Sequence, residues 1–169
     1  MNARIPFSLF IGLASSLAVG QESTASCAAR HAAVNERGDH VMGFDHDKTT
    51  HHFHLTSDGG VIEVSANDSK DTESRDAIRS HLPHIAKMFT SGDFDAPMLI
   101  HGQPPPGVPV MERDKERIRW AYEETPAGGR VVASSKDKVD VTAIHEFLIF
   151  QIKDHDTGDP TAIEPAASK

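Results

Sequence analysis

Two short stretches of this chain carry the same folding instruction. Ser57-Asp58-Gly59-Gly60 and Thr125-Pro126-Ala127-Gly128-Gly129 are turn sequences, and each is flanked by runs with strand character. His51 to Thr56 alternates before the first turn, and Val61 to Ser65 after it is rich in β-branched residues. Ile118 to Glu124 alternates before the second turn, and Arg130 to Ser134 runs back. A capping sequence and a helical pattern follow each hairpin. Asn67-Asp68-Ser69 precedes Glu73 to Phe89, where Ile78, Leu82, Ile85 and Phe89 share one face. Asp137 opens the second pattern, which ends near His155. Pro83 inside the first pattern is expected to kink that helix or to mark a late start.

The two helical patterns align at one constant offset. Ala77-Ile78 falls on Ala143-Ile144, Leu82 on Leu148, Lys87 on Lys153 and Gly92-Asp93 on Gly158-Asp159. A lone ββα unit cannot bury its apolar face, so the two are expected to pair. The expected fold is α+β: two pseudo-repeated ββα units forming one antiparallel sheet with two helices on one face. Residues 39–156 form the single domain, with a first unit at 39–93 and a second at 111–156. Residues 39–44 read as a short strand and Asp45 to Thr50 as a polar loop. A loop at 94–110 carrying Pro97, Pro104, Pro105, Pro106 and Pro109 joins the units. The polar residues 21–38 read as a flexible lead-in, and 157–169 as a disordered tail.

Arg4 followed by the apolar stretch Ile5 to Val19, with small residues at Ala18 and Gly20, reads as a signal peptide over residues 1–20. The mature protein is then expected in the periplasm or outside the cell. No other segment approaches the roughly 20 apolar residues of a membrane span. The formal net charge of −8 offers no electrostatic footprint for nucleic acid. Cys27 is the one cysteine, so no intramolecular disulfide forms and the fold rests on packing, unless a metal contributes.

Of the 11 histidines, six lie between His31 and His54. Imidazole is the commonest metal ligand among side chains. His52 and His54 are two apart on a strand and project from the same side, opposite Phe53 and Leu55. Glu63 joins them if Ile62 and Val64 face inward. Two imidazoles and a carboxylate on an open sheet face suit zinc, copper(II) or nickel. The alternative is a solvated polar face. His81, His84 and Met88 have helical spacing, and their thioether would favour copper over zinc. The alternative there is boundary residues with hydrogen-bonded rings. Asp45, His46 and Asp47 supply auxiliary ligands from the loop. His155, near a helix end, reads as a positive imidazole that complements the helix dipole. His101 either closes over a site or is exposed.

Phe44-Asp45-His46-Asp47-Lys48-Thr49, after the apolar run from Val41, resembles the first D-x-D-x-T motif of the haloacid-dehalogenase phosphatases. That resemblance implies Asp45 as nucleophile, Asp47 as general acid/base and a bridging magnesium ion, with Ser134 or Ser135 standing for the second motif. Lys48 stands where that family usually has glycine, and the hairpins here contrast with its parallel sheet. The longer run Gly43 to Phe53 (GFDHDKTTHHF), with Ile144-His145-Glu146-Phe147-Leu148 and Gln151-Ile152-Lys153-Asp154-His155, resembles a family of exported bacterial proteins of unassigned activity. It implies one exported domain and no particular chemistry. The leading expectation is an exported protein binding copper or zinc for buffering, delivery or resistance. The ranked alternatives are a non-catalytic domain that dimerises through pH-sensitive histidines and, behind it, a D-x-D-x-T phosphatase.

Overall fold

The computed structural model describes residues 24–166. The expected signal peptide and the last three residues of the tail lie outside the described residues. In chain order the elements are α1 (Thr24–Met42), β1 (Thr49–Thr56), β2 (Gly59–Ala66), α2 (Thr72–Ser91), α3 (Asp95–His101), α4 (Val108–Arg113), a 3₁₀ turn (Lys115–Arg117), β3 (Arg119–Thr125), β4 (Gly128–Ser134), α5 (Lys138–Asp154) and β5 (Ile163–Glu164). The fold is α+β, built on one mixed five-stranded sheet in the order β3-β4-β2-β1-β5.

Two-residue loops close both hairpins, pairing Thr56 with Gly59 and Thr125 with Gly128. The hairpins join through β2 and β4, which run antiparallel with Ile62 opposite Val131. The turn glycines permit this approach. A Cβ at Gly59 would lie 2.2 Å from the Ala133 carbonyl oxygen, and one at Gly128 would lie 2.3 Å from that of Val64. Both ββα runs are present in the element order, yet the offset that aligns the helices does not carry the strands. It would lay Gly59-Gly60 on Thr125-Pro126, whereas the equivalent turn glycines are Gly128-Gly129, three residues out of step.

One face of the sheet carries the core. Phe53, Leu55, Val64, Trp120, Val131 and Ala133 pack with Ile78, Leu82 and Phe89 of α2 and with Ile144, Phe147 and Leu148 of α5. The α2 helix runs through Pro83, and its buried residues Ile78, Leu82, Ala86 and Phe89 lie on both sides of it. Apolar burial on either side outweighs the hydrogen bond that proline removes. Asp71 caps this helix by accepting from the Ser74 N–H at 3.0 Å, and Asp137 caps α5 by accepting from the Val139 N–H at 2.8 Å.

Four stretches differ from the sequence reading. The lead-in is helix α1, which packs against α3 and α5. It lacks an amphipathic stripe, but alanine-rich sequence favours helix intrinsically. Buried Val34, an Arg30–Asp154 bond and an Arg37 bond to the Ile100 carbonyl anchor it. Residues 39–44 are therefore not a strand: α1 continues to Met42 and ends at Gly43, whose φ is 74°. The proline loop contains α3 and α4, with Pro97 and Pro109 in first turns, where a missing N–H costs little. Within the expected disordered tail, β5 pairs parallel to β1, and the Ser57 N–H donates to the Glu164 carbonyl at 2.8 Å.

Candidate metal centre and histidine-lined cavity

Alternation along β1 sends neighbouring histidines to opposite faces. His52 and His54 project outward as expected, with Glu63 paired across the strand from His52. Their ring centres lie 6.1 Å apart. The two imidazoles face separate carboxylates. His52 Nδ1 is 2.8 Å from Asp159 Oδ1, while Asp159 Oδ2 accepts from the Phe53 N–H at 2.9 Å and the Thr157 hydroxyl at 2.7 Å. His54 Nδ1 is 3.9 Å from Glu164. Glu63 stands opposite Arg130, which donates to Glu123 at 2.8 Å. The three share a face without converging on one point.

The helix group separates further. His81 lines an apolar pocket, His84 is exposed and donates from Nδ1 to the Ser80 carbonyl at 2.8 Å, and Met88 packs at the margin of the core.

Convergence occurs in the loop before β1. Ligating atoms of Asp39, Asp45 and His46 all lie within 4.8 Å of one another, the one such group of three among the described residues. Asp39 accepts from the His46 backbone N–H at 2.9 Å and faces the ring Nδ1 at 2.9 Å. His46 Nε2 lies 3.3 Å from Asp47. Asp45 accepts from the Asp47 N–H at 2.8 Å, and its carbonyl accepts from the Thr49 hydroxyl at 2.9 Å. His46 also borders a cleft of about 190 Å³ shared with Asn35, Thr49, Thr50, His51 and His155. Sequence reasoning found Asp45, His46 and Asp47 but missed Asp39, because it placed that residue on a strand. The helix ending at Gly43 is what folds Asp39 back onto the loop.

The phosphatase arrangement does not form. Asp45 follows a helix rather than a strand, and β1 after it runs antiparallel to β2 in a hairpin. Ser134 pairs with Gly59 at one end of the sheet, whereas Thr49, beside the aspartate loop, pairs with Ala66 at the other. Seven residues of strand separate the ends, roughly 20 Å.

Sequence reasoning weighed His81, His101 and His155 separately and overlooked His51. His51, His81, His101 and His155 line one apolar cavity of about 70 Å³ between the sheet, α2, α3 and α5. The β1 alternation could have identified His51, since it shares the Phe53 face. His51 and His155 stack with ring centres 5.7 Å apart and planes 8° from parallel. Burial, reinforced by His52, His46 and His81, lowers the His51 pKa to about 4. Burial, reinforced by His51, His101 and His31, lowers that of His155 to about 3. His155 is therefore neutral near pH 7 and does not supply the positive helix cap that the sequence suggested. Burial and His84 also lower the His81 pKa.

His101 is fixed rather than exposed. Its Nδ1 lies 2.6 Å from Asp154 and its Nε2 lies 2.7 Å from the Gln151 amide oxygen, while Arg30 donates to the other Asp154 oxygen at 2.6 Å. His145 donates from Nε2 to the Thr56 carbonyl at 2.9 Å, tying α5 to β1. His51 Nε2 and His81 Nε2 are buried with no hydrogen-bond partner.

Comparison with protein-family models, curated proteins and solved structures gives no match. No helix of the described residues is long and apolar enough to cross a membrane.

Proposed function

We propose that this protein is exported and binds a divalent transition-metal ion, zinc in the first place, through Asp39, Asp45 and His46. The observation that supports this reading is the approach of three ligating side chains to within 4.8 Å, one of which, His46, borders a cleft. Two carboxylates and an imidazole suit zinc, which takes nitrogen and oxygen ligands and accepts water at a remaining position. Copper(II) is the principal competitor, since it generally binds such donors more tightly. Three protein ligands leave the ion exchangeable, which fits buffering or delivery better than a permanent structural role. The Asp39–His46 contact orients the ring in the absence of an ion. An ion bound at this ring competes with protons for it, so binding weakens in acid.

Zinc titration of the dialysed protein, followed by calorimetry, tests this. The reading expects one equivalent bound, weakened about tenfold or more by His46→Ala, Asp39→Asn or Asp45→Asn. His52→Ala and His54→Ala are expected to leave it unchanged. Binding no tighter than about millimolar, or binding that survives all three loop substitutions, contradicts it.

A further inference from the structure

The cavity behind β1 differs chemically from the aspartate loop. His51 Nε2 and His81 Nε2 are both buried and both unpartnered, and both residues line this one cavity. Neutral polar groups buried without a partner are uncommon in folded proteins and call for an explanation. The Met42 side chain also lines the cavity, and no carboxylate does. With the remaining lining largely apolar, the volume of about 70 Å³ is too small for an organic cofactor. His101, the neighbouring imidazole, has both nitrogens engaged by Asp154 and Gln151.

We infer that this cavity is a second, soft metal site, in which His51 Nε2, His81 Nε2 and the Met42 thioether hold a copper(I) ion. The donor chemistry selects the oxidation state. Thioether and imidazole in an apolar setting suit copper(I), whereas a divalent ion without a carboxylate carries an uncompensated charge. A monovalent ion loses far less hydration energy on entering such a space, because that cost rises with the square of the charge. Neither ring is tied at Nε2, so binding breaks no hydrogen bond there. The Phe44 ring, stacked on His51 with centres 5.9 Å apart and edge-on to His81 at 5.8 Å, shields both imidazoles. This site shares no ligand with the aspartate loop, although His51 and Met42 also border the cleft that His46 lines.

Anaerobic titration with copper(I), in competition with the chromophoric chelator bicinchoninate, tests the inference on the purified protein. One equivalent is expected to transfer to the protein. His51→Leu and His81→Leu are each expected to weaken binding by about tenfold or more, and Met42→Leu by a smaller factor. Zinc binding to the three variants is expected to match the parent, which separates failure here from failure of the loop reading. X-ray absorption of the copper-loaded parent, which needs no variant to fold, is expected to show two nitrogen scatterers and one sulfur. The metal-free leucine variants are expected to melt no lower than the parent, because each replaces an unpartnered polar ring with an apolar side chain. A purely structural role for the histidines predicts lower melting. Copper that stays with the chelator, that binds His51→Leu/His81→Leu undiminished, or that shows no sulfur scatterer overturns the assignment.

Discussion

His51 and His52 are neighbours in sequence, yet they sit in opposite chemical surroundings. His51 faces the core side, with burial pulling its pKa to about 4 and no partner at Nε2. His52 faces outward, with Asp159 2.8 Å from its Nδ1. On β1 the outward imidazoles meet carboxylates from the C-terminal segment, and the inward His51 meets the rings of Phe44, Phe53 and His155. The period of a strand, rather than local histidine density, thus decides which rings are free to coordinate. A histidine-rich stretch is two populations with different chemistry.

The strongest way to break the inner arrangement is to remove the carboxylate that closes it. Asp154 is buried and joins α5 to His101 of α3 and Arg30 of α1. Asp154→Ala strands His101 and is expected to cost roughly 4 kcal/mol by urea unfolding. Acid probes the same side more gently. His51 is depressed to about 4 in the folded state against 6.5 unfolded, so the unfolded chain binds more protons between those values. Stability is therefore full above pH 6.5 and falls towards pH 4, by on the order of 3 kcal/mol for this ring. Urea unfolding across that range should show the slope, and His51→Phe should flatten it; an unchanged slope removes His51 as its source.

The outer side is expected to respond weakly. His52→Ala loses its contact with Asp159, which keeps its bonds to the Phe53 N–H and the Thr157 hydroxyl. The expected cost is about 1 kcal/mol by thermal unfolding. His84 is exposed, with its ring bonded within its own helix, and His84→Ala should change stability by less than about 0.5 kcal/mol. A large loss at His52 or His84, with little at Asp154, would invert the comparison.

Local patterns made both hairpins, α2 and α5 legible in the sequence, because Gly-Gly turns, alternation and helical spacing are short-range signals. They also placed His52, His54 and Glu63 on one face. The missing parts depend on distant contacts. Helix α1 has no apolar stripe and is held by Arg30 and Arg37 reaching α5 and α3. Strand β5 exists because Ile163 and Glu164 pair with Leu55 and Thr56. Asp39 enters the candidate site only because α1 ends at Gly43 and turns back towards His46. The cavity histidines come from β1, α2, α3 and the end of α5. Their meeting is a tertiary fact that no local pattern encodes.

The most direct test of where a divalent ion binds is long-range ¹H–¹⁵N correlation of the imidazole nitrogens, recorded with increasing zinc. The account predicts that the His46 ring resonances move in proportion to the ion added, up to one equivalent, while those of His52 and His54 stay in place. Movement of His52 and His54 with His46 unaffected would put the ion on the open sheet face and contradict the assignment to Asp39, Asp45 and His46.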